Sequence, residues 1–172
     1  MEPVISCENA IRIFAARDFS KWNGLPESCT LEEIIRNVPL LNEGVGLARL
    51  GRTKRKFRML TVQGYDHAVR VWLDESRVLM LDVQTPKFPS DLAVVLNELG
   101  EPEAKLDYVW GTLPVASGEW VYPKRGLSLF LAASGQAVFH LAAFSRTTLD
   151  DYADNYRLHL GKKPFPPARD KS

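Results

Sequence analysis

Two rhythms of apolar residues divide the chain. Ala10, Ile11 and Phe14 recur at helical spacing, and Ser6 stands where such a helix needs a cap. Thr30-Leu31-Glu32-Glu33 is a capping box: the Thr oxygen takes a backbone N–H and Glu33 reaches back. It opens a short helix carrying Leu31, Ile34, Ile35 and Val38 that stops before Pro39. Ser90 is placed to cap a third helix over 91–99, with Leu92, Val95, Leu96 and Leu99 as its stripe. Gly100 then offers a left-handed stop and Pro102 prevents continuation. A last helix starts at Thr148-Leu149-Asp150-Asp151 and runs to Gly161.

Between these segments the period changes to two. "KFRMLTVQG" alternates, and so does "HAVRVWL". In the second, Val69, Val71 and Leu73 share one face, and Ala68, Arg70 and Trp72 share the other. Gly64-Tyr65-Asp66 supplies a turn between them, and 74–77 turns again into "VLMLDVQ". "TPKFP" ends this region, because proline removes ladder donors. The stretch "GEWVYPKRGLSLFLAASGQAVFHLAAF" reads as three strands with tight turns. Pro123 pre-sets φ early in its first turn, and Gly126 supplies a left-handed residue to close it. Lys124 and Arg125 then sit at an exposed tip.

These elements predict an α+β fold, with antiparallel sheet and helices on one face. The prediction covers a single domain over 1–162 and a flexible, proline-rich tail over 163–172. Segments 30–85 and 90–145 each read helix, loop and hairpin, so the pattern admits two pseudo-repeated modules. Phe14, Ile34, Ile35, Val71, Leu96, Leu99, Phe130 and Leu141 hold the inward phase of their elements and are expected in the core.

A helix, then Leu99-Gly100-Glu101-Pro102, the aromatic strand Trp120-Val121-Tyr122, an Arg-Gly turn and two apolar strands follow one another in the second half. This order resembles a small bacterial αβ module. The module occurs in the small lipoprotein of the outer-membrane assembly machinery, and in tandem in the secreted β-lactamase inhibitor protein. The resemblance spans roughly Ser90 to Phe144 and, more loosely, Thr30 to Val83. It implies a binding module without chemistry and names no partner. The chain departs from the pattern at its start, where no apolar leader precedes Cys7.

Composition narrows the classes. Of 172 residues, 45% are apolar and 25% charged, which is globular and argues against disorder. The net charge of +1 gives no bulk attraction to nucleic acid, so charge arguments must be local. No run approaches the roughly 18 apolar residues of a membrane span. The opening residues lack the pattern of a signal peptide, so the expected location is cytoplasmic. Cys7 and Cys29 are then expected as unlinked thiols.

Candidate chemistry is sparse. His67, His140 and His159 show no metal-ligand spacing with Cys, Asp or Glu. His140, in an apolar strand, reads as a hydrogen-bonded, partly buried side chain. There is no nucleophile elbow, phosphate-cradling glycine loop or paired-carboxylate motif. No catalytic, metal or cofactor residue is assigned. Trp72, Trp110, Trp120, Tyr108 and Tyr122 cluster around the strands, and exposed Trp, Tyr and Arg are the common anchors of protein contacts. The expected function is therefore binding of another protein, as an adaptor, inhibitor or immunity-like domain, through Trp72, Tyr122, Lys124 and Arg125. "RLGRTKRKFR" holds Arg49, Arg52, Lys54, Arg55, Lys56 and Arg58 without an acid. Arg52, Lys54, Arg55 and Lys56 thus form a candidate basic patch, for an acidic protein or, as the alternative, for nucleic acid. A small enzyme with a dispersed site is the third class.

Overall fold

The computed structural model describes residues 6–37, 40–63, 68–84, 90–110, 113–131 and 137–158. Its strands are β1 (Leu40–Leu50), β2 (Thr53–Gln63), β3 (Ala68–Asp74), β4 (Arg77–Gln84), β5 (Ser90–Asp91), β6 (Ala104–Trp110), β7 (Leu113–Tyr122), β8 (Leu127–Leu131) and β9 (Ala137–Ala143). The helices are α1 (Cys7–Ala15), α2 (Leu31–Asn37), α3 (Leu92–Leu99) and α4 (Leu149–Asn155). All strand pairs are antiparallel, in the order β1-β2-β3-β4-β9-β8-β7-β6. β5 pairs with β9 at Ser90–Val138 and Asp91–Ala137, beyond the end of β4. The α+β class with an antiparallel sheet is as the sequence predicts.

The period-two alternation fixes what each face of the sheet buries. Val69, Val71 and Leu73 join Leu60, Leu81, Leu129 and Leu141 on the first face. Ile11 and Phe14 of α1, Ile34 of α2 and Val95 of α3 pack against them. The second face carries Phe57, Trp72, Met80, Phe130 and Ala142, with Leu50 and Leu158. Beside it, Val121, Phe144 and Tyr152 form a third cluster, so α4 lies on the face opposite the other three helices, which corrects the expectation of helices on one face alone.

The β1–β2 hairpin outruns its neighbour. β2 pairs with β3 only from Arg58 to Gln63, whereas it pairs with β1 as far as Leu50–Thr53. The free end folds back to the end of α4. Gly51 N–H donates to Arg157 O at 2.7 Å and Arg52 N–H to Asp154 O at 2.8 Å. Leu50 also bridges Leu158. The chain passes Asp154 so closely that a Cβ at Gly51, whose φ is +58°, would overlap backbone.

Three of the four caps that the sequence offers form. Ser6 Oγ accepts from Asn9 N–H at 3.1 Å, and Thr148 Oγ1 from Asp151 N–H at 3.1 Å. Thr30 Oγ1 accepts from Glu33 N–H at 3.4 Å. Four expectations need correction. Ile35 is 53% exposed, because Ile34, with Leu31 partly buried beside it, holds the inward line of this short helix. Leu96 and Leu99 are only partly buried, and Val95 holds the buried line of α3. Ser90 and Asp91 extend the sheet, so α3 starts at Leu92. α4 ends at Asn155, since Leu158 is drawn to β1. The turn at 64–66, the segment 85–89, Val38, Pro39, His67, His159 and the tail 163–172 lie outside the described residues.

The expected free thiols are instead a disulfide between Cys7 and Cys29, with Cα atoms 5.3 Å apart. Cys29 is fixed against the β3–β4 turn, where Val78 N–H donates to Cys29 O at 2.9 Å and Leu31 N–H to Ser76 O at 2.7 Å. The first turn of α1 brings Cys7 to it, and both are buried. Cross-linking residues 22 apart removes unfolded-state entropy. Cys7→Ser with Cys29→Ser is therefore expected to lower unfolding free energy by roughly 3 kcal/mol in urea denaturation. Thiol titration of the unfolded, unreduced protein should detect no reactive cysteine.

Candidate functional site

The second face of the sheet holds two buried polar centres. Arg70 and Trp72 project there from β3, Asp82 from β4 and His140 from β9. Register brings them together: Arg70 lies opposite Asp82, and Asp82 is next but one to the Gln84–His140 pair. Asp82 is 2% exposed. Arg70 Nε donates to its Oδ1 at 2.9 Å and Arg70 Nη2 to its Oδ2 at 2.8 Å, a bidentate pair. Trp72 Nε1 donates to Oδ1 at 2.6 Å, and His140 Nε2 meets Oδ2 at 2.7 Å. The Arg70 guanidinium also lies over the Trp72 ring at 5.1 Å.

Burial raises the cost of ionising Asp82, but the hydrogen bonds from His140 and Arg70, with the Arg70 charge, outweigh it. The carboxyl is lowered to about 2. Ionised, it only accepts, so His140 carries its proton on Nε2 and donates. Burial lowers and Asp82 raises the Arg70 guanidinium, with a net upward shift.

The other centre is Glu119 of β7, which is fully buried. Ser128 Oγ donates to its Oε2 at 2.8 Å, and Tyr152 O–H donates to the same oxygen. Arg157 Nε donates to Oε1 at 2.7 Å, and Arg157 Nη2 continues to Asp107 O at 2.8 Å. Burial and then the Glu119 charge push the Tyr152 hydroxyl well above its ordinary value. This centre ties α4 and the segment behind it to the sheet. Neither carboxylate was singled out from sequence. The legible signal was a lone acid amid apolar strand residues, "LMLDV" and "GEWVY", which calls for a buried partner.

The residues expected to contact a partner do not form one surface. Trp72 is 3% exposed and Tyr122 5% exposed. They also belong to opposite faces of the sheet, in separate clusters. The Tyr122 hydroxyl donates to Gly100 O at 3.0 Å, and burial followed by nearby Glu101 pushes it up to about 12. Trp120 is buried beside it, with Lys105 over its ring at 4.6 Å. Arg125 is half-buried and turned inward. Its Nε donates to Trp22 O at 2.8 Å and its Nη2 to Phe19 O at 2.6 Å. Lys124 alone of the four is exposed.

The tip therefore splits into a solvent residue and a structural one. Lys124→Ser is expected to leave the unfolding midpoint within about 0.5 kcal/mol of wild type. Arg125→Ser leaves two carbonyls without their charged donor and should cost about 1–3 kcal/mol in the same denaturation experiment.

The basic hairpin differs. Arg49, Arg52, Lys56 and Arg58 are exposed, as are Glu43, Gly44 and Val45, the last at 67%. Register sets Val45 opposite Arg58, Leu47 opposite Lys56 and Arg49 opposite Lys54, along one face of the ribbon. Arg55 lies opposite Ala48. Arg58 pairs with Glu43, and Arg52 with Asp154 at 2.9 Å. Phe57 is buried at 2% and packs edge-on to Trp72. Among the described residues no group of three or more His, Cys, Asp or Glu is placed to hold a metal ion, and no helix is long and apolar enough to cross a membrane. No protein-family model, curated protein or solved structure matches the chain.

Proposed function

We propose that this chain is a non-catalytic protein-binding domain, of adaptor, inhibitor or immunity-like kind, and that its contact surface is the β1–β2 hairpin. The observation that carries this reading is the allocation of charge. Asp82 and Glu119 spend their lone pairs on Arg70, Trp72 and His140, and on Ser128, Tyr152 and Arg157. Groups so engaged act as struts of the fold. Positive charge, in contrast, collects on an arm with six basic residues and one acid, Glu43, between 40 and 63. Arg49, Arg52, Lys56 and Arg58 of that arm are exposed.

Two further observations support the reading. Two four-stranded antiparallel meanders, each preceded by a helix, meet at β4–β9. That arrangement is compatible with a tandem of the helix-plus-hairpin module that the sequence resembles. The buried disulfide favours an oxidising compartment over the cytoplasm.

Nucleic acid fits the arm less well than a protein. Phe57 is buried and unavailable to stack on a base, and two of the cations are already paired. No sub-micromolar binding to DNA or RNA is expected near physiological salt. A tight gel shift that weakens steeply with salt, and is lost when Arg52, Lys54, Arg55 and Lys56 become Glu, would put nucleic acid in the protein's place. The binding reading is tested by capture from the native host with wild-type and hairpin-variant protein, followed by mass spectrometry. A protein retained by the first and lost from the second supports it; identical captures reject the hairpin as the surface.

A further inference from the structure

The sheet ends in two edges that differ. β6 is short, its register shifts between Leu106 and Tyr108, and exposed Lys105 stands on it. Bulges, brevity and lysine are the devices by which proteins blunt an edge against strand addition. β1 is an 11-residue strand whose register with β2 is unbroken from Asn42 to Leu50. Among the described residues no strand pairs with its outer side, where Leu158 forms an isolated bridge to Leu50. Two glycines, Gly44 and Gly46, lie in its middle, and a Cβ at Gly44 would meet nothing within 4 Å. Glycine within a strand often marks a place where another backbone comes close.

We infer that β1 accepts an extended acidic segment of a partner protein as an added edge strand. The inference rests on the binding reading above and specifies its partner. Main-chain hydrogen bonds along Asn42–Arg49 supply affinity, and alternate side chains supply selection. Val45 and Arg49 share one face four positions apart, so an apolar residue beside the first and an acid beside the second complete the match. Lys56, across from Leu47, adds positive charge to that face. The excess of six bases over one acid in 40–63 repels a basic segment, so the arm selects by charge as well as by backbone.

The probe is a synthetic peptide of about ten residues that carries valine and glutamate four positions apart, and so on one face, with threonine between them; in the control peptide lysine replaces the glutamate. Binding to the full chain is read by fluorescence anisotropy, and backbone protection by hydrogen exchange. The expected result is saturable binding of the acidic peptide alone, slowed exchange in β1 with β6 unchanged, and at least about tenfold weaker binding in Arg49→Glu with Lys56→Glu. Binding without protection of β1 overturns strand addition and leaves the hairpin reading standing. Equal binding of both peptides, or none at millimolar concentration, overturns the inference as well. Protection at β1 that needs removal of 159–172 would assign the edge to the chain's own end and reject it. If the host capture also fails to distinguish the hairpin variant, the broader reading falls with it.

Discussion

Asp82→Asn is expected to lower the free energy of unfolding by about 3–5 kcal/mol, the usual cost of removing one member of a buried ion pair. The Asn side chain keeps the shape but not the charge. Arg70 loses its counter-ion, and the donors of Trp72 and His140 compete for one remaining carbonyl. Acid should reveal the same group in the wild type. The folded-state carboxyl sits at about 2, below its ordinary 3.8. A depressed carboxylate stabilises the fold fully above its unfolded value and loses that contribution as pH falls through the folded value. Between about pH 4 and pH 2 the wild type should therefore lose about 2 kcal/mol that Asp82→Asn never had. Urea denaturation of both proteins at stepped pH measures it. Parallel pH profiles would mean that the pair does not hold the carboxylate ionised.

Gly126→Val should be nearly as damaging. Gly126 has φ +60°, where a β-branched residue is strained. Its position adds a second penalty, since a Cβ there would overlap Phe144 O and approach Gly24 Cα. Gly126 O also accepts from Trp22 Nε1 at 3.2 Å and from Phe144 N–H at 3.0 Å, so the backbone cannot yield without breaking both. A loss of about 3 kcal/mol or more is expected, from strain and overpacking together. Gly100→Ala is the control. Its φ is +78° but nothing lies within 4 Å of a Cβ, so only the conformational part, about 1 kcal/mol, should appear. Equal losses at the two sites would show that crowding at Gly126 is relieved by movement.

What was legible in the sequence is what local rules govern. Ser6, Thr30 and Thr148 cap as their spacing implies, Gly126 is left-handed, and Val69, Val71 and Leu73 share a buried face. Asn42, Gly44 and Gly46 interrupt the apolar residues of β1 and give it the pattern of a loop, and pairing with β2 overrides their poor strand preference. The segment after α3, rich in Asp, Gly and Pro, has the pattern of a loop, and pairing with β7 holds β6 as a strand within it. The polar centres were invisible for another reason. His140 meets Asp82 across 58 residues and Arg157 meets Glu119 across 38, and no local pattern records such pairings. Trp72 shares its strand face with Ala68 and Arg70, which predicts a half-exposed position. Nothing in the alternation of one strand reveals that Phe57 of the neighbouring β2 packs edge-on to Trp72 on the same face.

The division of labour between buried carboxylates and an exposed basic arm is tested most directly by one variant, Arg49→Glu with Lys56→Glu, in the full chain. Both side chains are exposed, so the unfolding midpoint should stay within about 2 °C of wild type. The measurement is the amount of partner protein retained from host extract at equal loading. Retention should fall by at least about tenfold while the midpoint holds. Undiminished retention on a folded variant would contradict the account and move the contact surface off the hairpin.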